Sequence, residues 1–280
     1  MKIKTILIGA LIFLFFTSCS SIWYYQVYKV APNEDTKLKD NLLVYEDQNI
    51  KVSYNLWDDG GNIGFAIFNK TDKSIFVNME ECFFVLNGFA HNYYQNRTYT
   101  KSTSIGTTAV NSVSASKSVT GLNYYDLIQT NRIAASKSVG SLTSSGFAVS
   151  YNEEKIVCIP SNTSKIISEF WINKSVFRDC DLYKYPSKKQ VRTKSFTKAS
   201  SPFAFSNRIA YRVGDSESLI RFENDFYVTE ISNYPEEEIT DSRPEEYCGQ
   251  KSVEKATYFK SVSPDKFYIK YTKGQDIWIH

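Results

Sequence analysis

Apolar residues in this chain recur mostly at every second position, in short runs separated by polar turns. Ile50-Lys51-Val52-Ser53-Tyr54-Asn55-Leu56-Trp57 alternates apolar and polar, the pattern of a strand with one buried face. Asp58-Asp59-Gly60-Gly61 predicts a hairpin turn, and Ile63 to Phe68 predicts the returning strand. After a second polar turn, Asn69 to Lys73, come Ile75-Phe76-Val77 and Cys82-Phe83-Phe84-Val85-Leu86. The latter runs into Asn87-Gly88, a strong hairpin signal because both residues tolerate positive φ. Further on, Lys155 to Ile159, Phe203 to Phe205, Ile209 to Val213, Asp225 to Ile231 and Phe267 to Tyr271 predict strands. Lys165 to Ile172 also fits helical spacing, and its β-branched and aromatic content places it with the strands. Pro235 followed by Glu236-Glu237-Glu238 predicts a helix start. Short strands with frequent turn signals give a mainly β fold, an immunoglobulin-like β-sandwich.

Two segments break the pattern. Residues 101–150 are dominated by Ser, Thr, Ala and Gly, with Ala-Ser-Lys-Ser-Val at 115–119 and again at 135–139. Such a stretch buries too little to offset its ordering entropy, so a mobile insertion is expected at about 101–146. Long insertions of this kind often contact partners. Arg178 to Lys194 is polar and basic and reads as a link. The expected division is 1–18 signal, 19–41 N-terminus and tether, 42–175 sandwich with insertion, and 176–280 a β-rich C-terminal region that completes the same sandwich or stands beside it. Within the tether, Ile22 to Val30 is aromatic enough to begin a first strand.

The opening residues carry an address. Lys2 and Lys4 precede an unbroken run of eleven apolar or glycine residues, Ile6 to Phe16. At about 1.5 Å per residue such a run covers roughly half of a 30 Å hydrocarbon core, so it predicts an export signal and not a span. Phe16-Thr17-Ser18-Cys19 resembles the bacterial lipobox. That resemblance implies cleavage before Cys19 and a lipid on its sulfur, with two or three acyl chains making the anchor stable. Ser20 and Ser21 stand where an inner-membrane retention signal would place Asp, and no acidic cluster follows. The expected location is the outer membrane, with the periplasmic side favoured over the cell surface.

Composition narrows the functions. Losing residues 1–18 removes Lys2 and Lys4 and lowers the formal charge from +3 to +1, a near-neutral balance that implies neither a nucleic-acid partner nor an anionic surface. The chain holds 20 Tyr and 19 Phe, a composition suited to sheet. Beyond Cys19, Cys82, Cys158, Cys180 and Cys248 form no Cys-x-x-Cys pair, which argues against zinc and redox sites. Of three pairings, Cys180–Cys248 is the favoured disulfide, because both lie in polar, turn-like contexts of an exported chain. The two histidines, His91 and His280, lie in no catalytic motif, and no nucleotide loop or Gly-x-Ser-x-Gly appears. No enzyme activity, cofactor or metal is expected. Asp58-Asp59 reads as a turn in preference to a calcium site. Trp23, Tyr93 and Tyr94 are the candidate aromatics for stacking a glycan.

Asn69 to Phe76, Phe83 to Phe89, Phe222 to Pro235 and Cys248-Gly-Gln-Lys-Ser252 together resemble a group of Bacteroidetes-type outer-membrane lipoproteins with no assigned activity. The likeness spans most of the mature chain outside 101–150. It implies compartment and lineage, and no catalytic residues come with it. The expected role is protein binding or assembly with another envelope protein; a surface glycan-binding or fimbria-like adhesin is the alternative.

Overall fold

In the computed structural model, which describes residues 22–106, 142–274 and 278–279, regular structure starts at Trp23. The chain order begins β1 (Trp23–Pro32), β2 (Thr36–Lys39), β3 (Leu42–Glu46), β4 (Ile50–Tyr54), β5 (Phe65–Asn69), β6 (Ile75–Asn78), β7 (Phe83–Leu86) and β8 (Phe89–Asn92). Then come β9 (Thr98–Gly106), β10 (Leu142–Asn152), β11 (Ile156–Ile159), β12 (Ser164–Ile167), β13 (Val176–Phe177) and β14 (Thr193–Ser195). The C-terminal part holds β15 (Ala204–Val213), β16 (Ile220–Pro235), the one-turn helix α1 (Glu236–Ile239), β17 (Thr240–Tyr247), β18 (Gln250–Phe259), β19 (Lys266–Thr272) and β20 (Trp278–Ile279). The mainly β expectation holds.

Nine strands form one sheet along the path β11-β6-β15-β16-β1-β19, with β14 on β16, β7 on β15 and β8 on β7. Five form a second sheet, β12-β5-β4-β3-β2. Their inner faces share one apolar core, to which both contribute. Tyr45 of β3 stacks on Phe222 of β16 at 4.6 Å, and Tyr54 of β4 meets Phe226 edge-on at 5.2 Å. The result is a β-sandwich, and immunoglobulin-like is a finer class than this strand order fixes. Because β15 pairs with both β6 and β7, the halves at 42–175 and 176–280 build the same sheet.

The segment expected as a tether, 19–41, is strand from Trp23 to Pro32 and again from Thr36 to Lys39. From Trp23 the chain is an interior strand, antiparallel to both β16 and β19. Tyr24, Tyr28 and Val30 point into the core, as the two-residue period requires. Tyr25 faces the other way and is still fully buried, because Phe259, Tyr268 and the loop residue Trp57 close over the outer face. Ring distances there run from 4.7 to 5.7 Å.

Asn87-Gly88 makes the tight hairpin expected of it, with φ of 49° and 85°. Asp58 to Gly61 does something larger. It belongs to a long β4–β5 connection laid along the edge of β19, with Gly60 N–H donating to Tyr268 O at 2.8 Å and Tyr268 N–H to Asp58 O at 3.2 Å. Gly61 packs so closely on Phe267 that a Cβ would sit 2.7 Å from the ring. Lys165 to Ile172 is strand only as far as Ile167.

Gln26 of β1 is a polar group on an interior strand of the large sheet, and it is fully buried. Its Nε2 donates to Asn233 Oδ1 at 2.7 Å and to Phe177 O at 2.8 Å; its Oε1 accepts from Phe177 N–H at 2.7 Å and from the Tyr28 hydroxyl. Both donors and both acceptor positions of the amide are used. Through them the Arg178–Lys194 link, which has little apolar content of its own, is held on the sheet. Gln26→Leu strands these partners inside, so it should cost about 3 kcal/mol and lower Tm by roughly 6–12 °C. A thermal scan showing less than about 2 °C would contradict this account.

Candidate binding surface

After β8 the chain passes Tyr93 and Tyr94 and then leaves the sandwich as β9. Tyr93 is buried, with its ring edge-on to Phe65 at 5.9 Å and Phe170 at 5.0 Å and its hydroxyl donating to Asn207 Oδ1 at 2.7 Å. It is a core residue, and the reading of it as a glycan contact is corrected. An aromatic beside a hairpin looks exposed in sequence; Asn207 on a strand more than a hundred residues away supplies the buried partner. Tyr94 packs partly on the core, its hydroxyl donates to Asn96 Oδ1 at 2.7 Å, and Lys155 Nζ lies 5.3 Å over its ring. Trp23 carries Lys270 Nζ 4.2 Å above its ring. The three candidate aromatics therefore form no common platform, and each has a ring face taken by a cation or by the core.

A different aromatic pair is presented to solvent. Among the described residues β9 and β10 pair with each other, Thr98 opposite Asn152 through Gly106 opposite Leu142, and with no other sheet. Thus both ends of the expected mobile insertion are strand; the intervening residues 107–141 lie outside the described residues. At the ribbon's base Tyr99 and Tyr151 stack with centroids 5.3 Å apart and are 37% and 57% exposed. The sequence missed this pair, because it is made by register across the insertion.

The base is clamped. Arg97 forks between the carboxylates of Glu153 and Glu169. Its guanidinium also lies 5.6 Å from the centroid of Tyr99. Glu153 Oε2 accepts the N–H groups of Gln95 at 2.9 Å and Arg97 at 3.0 Å. Burial pulls the Glu153 carboxyl up, but its hydrogen bonds with Arg97 and Gln95 outweigh that and hold it below the usual range. The hydrogen bonds that Arg97 donates to Glu169 and Glu153 push its own pKa further up. The positive φ of Asn96, 55°, turns the chain into the ribbon.

The remaining candidates stand apart. Cys19 and His280 lie outside the described residues. His91 sits on β8, stacked on Phe84 at 5.9 Å. Glu236, Glu237 and Glu238 form the first turn of α1. Cys180 and Cys248 are both free thiols and exposed, so their expected disulfide is not formed. Cys248 occupies the tip of the β17–β18 hairpin at φ 49°, while Cys180 lines a small pocket of about 190 Å³ with Phe177, Leu182 and Asn233. Two turn-like contexts, alike in sequence, belong to different parts of the surface. Among the described residues no group of three or more His, Cys, Asp or Glu could hold a metal ion.

Two outcomes follow from these environments. Arg97→Met leaves Glu153 nearly buried without its cation, at a cost of about 1–3 kcal/mol. Amide exchange should accelerate across Thr98–Tyr99 and Tyr151–Asn152 while β1 and β16 stay protected; unchanged ribbon protection would refute the clamp. In the native protein the clamp's contribution is complete above the ordinary glutamate pKa of about 4.3 and fades as pH falls through the lower folded value. Burial pushes the Cys82 thiol up to about 11, and thiolate is the reactive form. Native alkylation should therefore mark Cys158, Cys180 and Cys248, with Cys82 labelled only after unfolding, as read by peptide mass. No family model, curated protein or solved structure matches this chain.

Proposed function

We propose that the chain is a non-enzymatic outer-membrane lipoprotein, anchored through lipid on Cys19, that binds another envelope protein through the base of the β9–β10 ribbon. The observation that carries the reading is the Tyr99–Tyr151 stack, two exposed rings on a ribbon whose base is fixed by Arg97. Exposed tyrosines bury a large apolar area at low entropic cost when a partner covers them. A clamped base presents them already oriented, which lowers the ordering cost of association. The lipobox-like Phe16-Thr17-Ser18-Cys19 supports the anchor and the envelope location, with the periplasmic side favoured. The Bacteroidetes-type lineage belongs to the same reading. The glycan alternative has lost Tyr93 to the core and finds no platform in Trp23 and Tyr94.

A photo-crosslinking residue placed at Thr98, beside the stack, should yield a discrete adduct in cells. The same residue at Ser252, on β18, serves as the control. Tyr99→Ser with Tyr151→Ser should reduce that adduct at least about tenfold, the loss of one interface hot spot. An adduct of equal yield in the double variant would sink the ribbon as the binding surface.

A further inference from the structure

The end of the large sheet where β1 begins combines aromatic rings and lysines, and its distance from the proposed anchor is short. On the reading above, only Ser20, Ser21 and Ile22 separate the lipid-bearing Cys19 from Trp23, the first residue of β1. Three extended residues span about 10 Å. The headgroup layer of one leaflet is itself roughly 5–8 Å thick. A sandwich whose first strand starts there has no length with which to stand clear of the bilayer, so whatever surrounds Trp23 meets headgroups.

What surrounds it has interfacial chemistry. Ile22 is 57% exposed. Trp23 is half-buried, with Lys270 Nζ 4.2 Å over its ring. Tyr24 brings Tyr185 to the same end at 5.2 Å, and Lys184 and Lys273 reach over the Tyr185 ring at 5.2 and 5.6 Å. Thr272 lies opposite Trp23 in register, which sets Lys273 just beyond it. Acids are present too, since α1 follows Pro235, the partner of Tyr24. Glu238 is neutralised by Lys188 at 2.8 Å, and Lys260 bonds the Glu237 carbonyl; Glu236 is the third. Tryptophan and tyrosine settle at headgroup depth, and lysines on flexible stems reach lipid phosphates.

We propose that this end, with Ile22, Trp23, Tyr185, Lys184, Lys270 and Lys273, is a docking surface for an anionic glycerophospholipid bilayer and fixes the orientation of the sandwich on its membrane. The inference rests on the lipid-anchor reading, and one experiment separates the two. The full mature protein, extracted from membranes, is first weighed intact and then reconstituted in vesicles of phosphatidylethanolamine and phosphatidylglycerol with brominated acyl chains. The expected result is acyl mass on Cys19 and quenched tryptophan fluorescence, with quenching reduced at least about twofold in Trp23→Phe. It should also weaken in Lys184→Glu with Lys273→Glu, and in vesicles of phosphatidylcholine alone. An unacylated Cys19 would overturn the anchor and this inference together. Acylated protein without quenching would overturn the docking surface alone, as would quenching that survives Trp23→Phe. Equal quenching in both lipid compositions would overturn its anionic preference.

Discussion

β1 lies between β16 and β19, and it is the strand through which β19 joins the rest of the large sheet. The register pairs Tyr24 with Pro235 on one side and Tyr271 on the other, residues more than two hundred positions away. Loop closure over such distances is entropically unfavourable before contacts form, so the strand must offer a great deal once seated. It does so on both faces, with Tyr24, Tyr28 and Val30 in the core and Tyr25 beneath Trp57, Phe259 and Tyr268. Gln26 is the polar exception, and its four hydrogen bonds turn a buried amide from a liability into a fixed point.

That fixed point organises segments that cannot hold themselves. The link after β13 has few apolar side chains to bury, yet Gln26 bonds Phe177, Asn233 bonds Tyr183 O and Tyr271 bonds Lys184 O, so it lies along the sheet as a shelf. The same logic recurs at the ribbon. Among the described residues β9 and β10 have no third strand to pair with, and a two-stranded hairpin alone is marginal in water. Arg97 with Glu153 and Glu169 ties its base to the sandwich through charge-assisted bonds. In both places polar groups help to position the exposed surface, at the link beside the packing of Leu182 and Tyr185 on the core.

The proposed anchor and the proposed contact surface belong to one design. A core that begins within a few residues of Cys19 leaves orientation to the shape of the sandwich and not to a flexible leash. The lysines over Trp23 and Tyr185 and the tyrosines on the ribbon are separate patches with different chemistry. One suits lipid phosphate, the other a protein face that covers aromatic rings.

Local signals in the chain by itself determined the strands, because an alternating apolar face and a turn residue act over a few positions. Ile50 to Tyr54, Ile75 to Val77, Asp225 to Ile231 and the Asn87-Gly88 hairpin were legible for that reason, as was the mainly β class. The fate of side chains that are finished by distant partners was not legible. Tyr93 is core because Asn207 reaches its hydroxyl, and Trp23 starts an interior strand because β16 and β19 close around it. Tyr99 and Tyr151 meet only through the register of β9 with β10. Cys180 and Cys248, equal by context, end in different surroundings. Periodicity reports which face of a strand is apolar; which strand lies against it, and therefore which residues are left for binding, is decided by long-range pairing that only the tertiary structure contains.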